Sequence, residues 1–232
     1  MADNFPRKER VKTPLDERKL TLRAPTPGHA GKFASLMWGF IGNNPRITVY
    51  TNDPDDSGES KGYGRIVAAL DLVVFCVFLK ELKNAIDAPG EYKRQVDNMN
   101  YTFFGGKRSD EPKLVSQLWV GKDKEGMVYI SVTAKDRPKI KFAFHFPDFH
   151  KLRKEDGNEI TKAEASVAVA ESYYFILGQM MTHMAVSHWQ EPPPKPQNGN
   201  GNNYRNGGQQ NSRPAGTSYT NADNTEMEDM PF

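Results

Sequence analysis

Cations and aromatic rings alternate along this chain in a way that could hold a single strand of nucleic acid. Lys32-Phe33 precedes Met37-Trp38-Gly39-Phe40, with Arg46 and Tyr50 shortly after. Tyr92, Lys93 and Arg94 lead to Tyr101, Phe103 and Phe104, then to Lys107-Arg108 beyond two glycines. Trp119 and Lys122 stand at the head of a further segment, with Tyr129 on its return, and Lys139, Lys141 and His145 share one parity of a later run. Holding a strand without reading its sequence needs rings on which bases stack and cations that follow the phosphates. The candidate contacts are therefore Lys32, Trp38, Arg46, Tyr92, Lys93, Arg94, Tyr101, Lys107, Arg108, Trp119, Lys122, Lys139 and Lys141. Trp38, Tyr92, Tyr101 and Trp119 are the favoured rings because each neighbours polar or basic residues. Ile140, Phe142, Phe144 and Phe146 are expected to be core instead.

Catalysis finds no comparable foothold. No Gly-x-x-x-x-Gly-Lys-Ser/Thr loop occurs, and Gly62-Tyr63-Gly64 is too short to cradle a phosphate alone. The five histidines, His29, His145, His150, His183 and His188, are scattered, and one cysteine cannot complete a zinc site with them at known spacings. His183 and His188 are five apart and do not share a helix face as an i, i+4 pair would. The reading is of a protein that is not an enzyme and has neither cofactor nor metal.

The chain ends in Thr225-Glu226-Met227-Glu228-Asp229-Met230-Pro231-Phe232. Glu226, Glu228 and Asp229 precede an apolar tip, Met230, Pro231 and Phe232, that suits a small hydrophobic pocket with a basic rim. Residues 191–224 are Pro, Gly, Asn and Gln with almost no apolar content, and cannot bury enough surface to offset the entropy of ordering. They are expected to be a disordered linker whose Gly/Asn-rich part is a coil about 30 Å from end to end. An acidic tip closing on Pro-Phe after a polar linker resembles the tail of bacterial single-stranded DNA-binding proteins. That resemblance implies recruitment of replication, recombination and repair enzymes through the tip, in a bacterial cell or as a phage protein in its host. The tip is also expected to compete with DNA for a cationic groove.

Of 31 basic and 29 acidic residues, three basic and five acidic lie from Glu191 onward, leaving the rest at +4. A mildly basic body with an acidic end fits a body that touches polyanions and a tail that does not. Cys76 is the sole cysteine and lies in an apolar run, so it reads as a core thiol in a reducing compartment. The apolar stretch over residues 66–79 is 14 residues long and interrupted by Asp71, short of the roughly 20 needed to cross a bilayer. No signal peptide is recognised in MADNFPRKER, and a cytoplasmic protein without a membrane partner is expected.

These residues need elements to position them. Residues 1–19 read as a flexible basic arm and 20–190 as one binding domain, with 191–224 the linker and 225–232 the tip. Within the domain, strands are expected over 20–24, 34–41 and 46–51, the last two about the turn Gly42-Asn43-Asn44-Pro45. An acidic loop follows over 52–60. A helix over 65–86, apolar nearly all round, is expected to be covered by a sheet on one side and another subunit on the other, hence a homo-oligomer. Strands over 92–104, 114–120, 127–134 and 139–146 come next, the last with strict period-two alternation. The last helix is expected to begin at the capping box Thr161-Lys162-Ala163-Glu164 and to continue through Ala165 to Trp189.

The fold class is then α+β, two strand-rich antiparallel halves each closed by a helix. That order resembles the whirly and PUR families of nucleic-acid binders; the tail's family implies an OB-fold barrel with added helices as the alternative. The function expected is sequence-independent single-stranded DNA binding in replication, recombination or repair. Two alternatives are a single-stranded DNA-binding transcription cofactor that recruits an RNA polymerase, and an adaptor that binds no DNA.

Overall fold

The computed structural model describes residues 13–101, 103–104 and 107–191. The arm's residues 1–12, the linker from 192 and the tip residues Glu226, Glu228, Asp229, Met230, Pro231 and Phe232 lie outside the described residues. The rest of the expected flexible arm is ordered instead, as two short 3-10 turns, Pro14–Asp16 and Arg18–Leu20, with Leu15 buried in the core.

Strands β1 (Leu22–Pro25), β2 (Phe33–Ile41), β3 (Asn44–Tyr50) and β4 (Arg65–Ala69) pair antiparallel in chain order, and helix α1 (Leu72–Asp87) follows. The second half runs β5 (Tyr92–Asn100), β6 (Phe103–Phe104), β7 (Lys107–Arg108), β8 (Lys113–Lys122), β9 (Val128–Ala134), β10 (Ile140–Ala143) and α2 (Lys162–Ser187). Its sheet has the order β10-β9-β8-β5, with β6 and β7 a separate two-stranded ribbon. The molecule is thus α+β, with two four-stranded antiparallel sheets, two helices and no closed barrel among the described residues. This sets aside the OB-fold alternative.

The β2–β3 reversal is tighter than the four-residue turn expected. Gly42 and Asn43 have φ of +58° and +66°, so two residues close the hairpin, and Asn44 and Pro45 already belong to β3. The helix expected from residue 65 begins only at Leu72. Residues 65–69 pair with β3 instead, Val49 opposite Ile66 and Ile47 opposite Ala68. A continuous apolar run satisfies a buried strand as well as a helix. The strand expected over 92–104 stops at Asn100, and the ribbon carries the remainder.

The alternation expected over 139–146 holds as far as His145, with Ile140, Phe142 and Phe144 fully buried and Lys141 and His145 exposed, but the strand pairing ends at Ala143 and Phe146 is only half-buried. The core lies between the helices and the inner sheet faces. Leu36, Trp38, Ile47 and Val49 meet Phe75, Phe78 and Leu82 of α1, Leu177 and Met181 of α2, and Leu118, Ile130 and Phe142 of the second sheet. At the start of α2 the capping box forms, Thr161 N donating to Glu164 Oε2 at 2.7 Å and Glu164 N to Thr161 Oγ1 at 3.2 Å.

The sheets are also tied by polar contacts. Arg137 Nη1 donates to Arg65 O at 2.6 Å and its Nε to Asp56 Oδ1 at 2.8 Å, joining the β9–β10 turn to the edge of the first sheet. The acidic loop over 52–60 is not irregular but is built of two short 3-10 turns, with Asp56 buried for this pair.

One face of α1 is covered by sheet and α2. On its other face Val73, Val77 and Cys76 are exposed, so Cys76 is a surface thiol rather than a core one. Phe175 and Val186 of α2 are exposed as well. No helix among the described residues is long and apolar enough to cross a membrane.

Candidate nucleic-acid interface

Neither helix covers the outer face of the second sheet. Because side chains alternate across a strand, the residues opposite the core share that face. The register sets Lys93, Gly121, Tyr129 and Ala143 in one row, Gln95, Trp119, Ser131 and Lys141 in the next, and Asp97, Gln117 and Thr133 in a third. Lys139 enters just before β10.

Cations lie over rings here. Lys139 Nζ is 3.6 Å from the centroid of Trp119, and Lys141 Nζ is 4.6 Å from that of Tyr129. Such pairs are worth about 0.5–2 kcal/mol, more as water is excluded. Trp119 is 7% exposed beneath Lys139. Burial, and to a lesser degree the charge of Lys93, pulls the Lys139 ammonium below the usual lysine range. Burial likewise pushes the Tyr129 hydroxyl up.

Gly121 is what lets Tyr129 lie across the sheet. A Cβ there would stand 2.6 Å from the tyrosine ring and 2.5 Å from Tyr92 O. Lys141 also pairs with Asp123 at 2.5 Å. Burial opposes the Asp123 charge, but Lys141 and the Met127 amide, at 2.8 Å, hold its carboxyl below the usual range. A recess of about 510 Å³ lies between these groups, bordered by Glu91, Lys93, Tyr129, Ser131, Lys139 and Lys141, with Tyr92, Lys122 and Asp123 at its end.

Four of the residues singled out from sequence, Lys93, Trp119, Lys139 and Lys141, therefore meet on one face. Tyr92 and Lys122 border the recess, but their polar ends are engaged by α1. The Tyr92 hydroxyl donates to Glu81, and Lys122 Nζ donates to Ile86 O and Ala88 O at 2.8 and 2.6 Å. Arg94 faces the same helix, 4.0 Å from Glu81 and 4.9 Å over the Tyr92 ring.

Trp38 offers no ring to a base. It is 1% exposed, and its Nε1 donates to Leu20 O at 3.0 Å. Arg46 is buried on the outer face of the first sheet, opposite Gly39 and Ala69. Lys32 is exposed in the loop before β2. Tyr101 and Arg108 form their own pair by the ribbon, the guanidinium 3.4 Å over the ring. Lys107 belongs to β7, but its side chain lies outside the described set.

Sequence reasoning noticed Tyr129 without choosing it and passed over Gln95, Asp97 and Gln117, although the parity of β5, β8 and β9 with Trp119 would have found them all. It also passed over Phe149, a ring 97% exposed in the loop after β10. Nearby, Lys151 and Arg153 pair with Glu159 at 2.7 and 3.3 Å.

Elsewhere His29 Nε2 lies 2.9 Å from Asp53 Oδ1 and 3.4 Å from Asp55 Oδ2, a set that could hold a metal ion. Asp53 Oδ1 also accepts the Asp55 amide at 2.9 Å, which ties the cluster into the turn over residues 54–56. No family model, curated protein or solved structure matches the chain.

Proposed function

We propose that this protein binds single-stranded DNA without sequence specificity, in replication, recombination or repair, through the outer face of the β5-β8-β9-β10 sheet. The observation that carries this reading is the layer of Lys139 and Lys141 over Trp119 and Tyr129, beside Lys93, on a sheet face that neither helix covers. Lys139 covers Trp119 in the unbound protein. A base stacking on that ring takes the ammonium's place, and the displaced Lys139 meets a phosphate. The partly desolvated lysine regains a counter-charge in the exchange. Two units of four antiparallel strands and a helix support a whirly- or PUR-like plan. The acidic tip recruits partner enzymes in this reading, and the open apolar residues of α1 and α2 pack against a second copy of the chain.

The test is tryptophan fluorescence during titration with an oligo-dT strand, repeated with duplex and at two salt concentrations. Quenching by the single strand, weaker with duplex and reduced by salt, is expected. Replacing Lys139 and Lys141 by alanine should lower the salt slope by about 0.7 for each phosphate no longer neutralised. No binding at low salt would overturn the reading and leave an adaptor whose tip is its working part. Deleting residues 225–232 should raise DNA affinity while abolishing capture of partner enzymes; capture of an RNA polymerase instead would move the role to transcription.

A further inference from the structure

On the lysine-bearing face one carboxylate stands apart. Asp97 is exposed on β5, in the row with Gln117 and Thr133 and diagonally beside Trp119. No cation among the described residues pairs with it. Instead Gln95 Nε2 and Gln117 Nε2 both donate to its Oδ1, at 2.7 and 2.9 Å. These two bonds hold the carboxyl below the usual range, so it is ionised at neutral pH. Both amides are spent on Oδ1, which leaves the Oδ2 lone pairs directed elsewhere.

A negative charge here repels phosphate, so its presence on a phosphate-binding face calls for a different ligand group. The group that suits an oriented, ionised acceptor beside a stacking ring is a base N–H. Exocyclic amino groups, such as cytosine N4, are donors that aspartate accepts. Thymine presents O4 at the same position, an acceptor facing an anion.

We infer that Asp97, oriented by Gln95 and Gln117, is a base-edge reader that makes this face favour amino-bearing bases over thymine. The bias operates within a binding mode otherwise indifferent to sequence, and it rests on the single-strand reading above. Cytosine and thymine strands are the discriminating pair because they are alike in size and differ at that edge chiefly in amino against carbonyl.

The experiment measures fluorescence titrations of the full chain with dC and dT 20-mers at neutral pH, for the wild type, Asp97→Asn and Gln117→Ala. Wild type should bind the dC strand about tenfold more tightly than dT, the size of one good base contact. Asp97→Asn should bring the ratio to about one or invert it, since an amide can donate to O4. Gln117→Ala should shrink the ratio, because Asp97 loses one of the two amides that orient it. Equal wild-type affinities, or an Asp97→Asn gain of the same size on both strands, would overturn the inference and leave single-strand binding standing. Absence of binding to either strand would overturn the single-strand reading and this inference with it.

Discussion

At Gly121 the sheet has no room for a side chain, because Tyr92 O and the Tyr129 ring already occupy the space a Cβ would take. Gly121→Ala should lift Tyr129 off the sheet and lower stability by about 1–3 kcal/mol, the usual cost of overpacking, read by urea denaturation. The rings separate by what covers them, the core over Trp38 and the Lys139 ammonium over Trp119. Trp119→Phe should remove most of the fluorescence quenching by oligo-dT, whereas Trp38→Phe should keep it while lowering the melting temperature, since Trp38 is a core ring. Phe149→Ala should leave stability within about 0.5 kcal/mol, as expected for an exposed site. Its effect on DNA affinity, measured in the same titration, reports whether that ring also stacks on bases. Lys139 gives the face a pH dependence. Its ammonium ionises below the usual 10.5, so the charge on the outer face fades before that of an ordinary lysine as pH rises. Affinity for the single strand should fall as pH rises through that lowered value, and the Lys139→Ala variant should lack this step.

At the scale of elements, the start of α2 is a pH-sensitive joint. The Thr161 amide, with help from Lys154 and the Thr161 hydroxyl, holds the Glu164 carboxyl down to about 2, from an ordinary 4.5. A depressed carboxylate stabilises the fold above its unfolded value, and the contribution is lost as pH falls from about 4.5 toward about 2. Amide exchange in the first turn of α2 should accelerate through that window, and Thr161→Ala should cost about 1 kcal/mol of stability at neutral pH. This box was legible in the sequence because a cap is a local device, with donors and acceptors three residues apart. The α1 boundary was not. Residues 66–79 form one apolar run in the sequence, broken only at Asp71, and what makes its first part a strand is its pairing with β3, which no local pattern contains.

For the molecule as a whole, the halves are joined by a buried ion pair, Asp56 with Arg137, whose side chains are 2% and 10% exposed. Removing one partner strands the other charge inside, so Asp56→Ala should cost about 3–5 kcal/mol in urea denaturation. The proposed packing against a second copy of the chain rests on the exposed apolar residues of both helices. Val77→Glu together with Phe175→Glu should leave the fold intact and reduce the mass measured by light scattering.

The sequence was sufficient for whatever depends on near neighbours and on periodicity. It set the α+β composition, the alternation that buries Phe142 and exposes Lys141, and the capping box. Which cations and rings meet was a matter of register between strands distant in the chain. Trp38 and Trp119 have equally polar neighbours in sequence, yet one faces the helices and the other the open side of its sheet, because strand parity relative to the core is settled by pairing. The same non-local pairing brings Asp97 beside Trp119, and Lys139 over it.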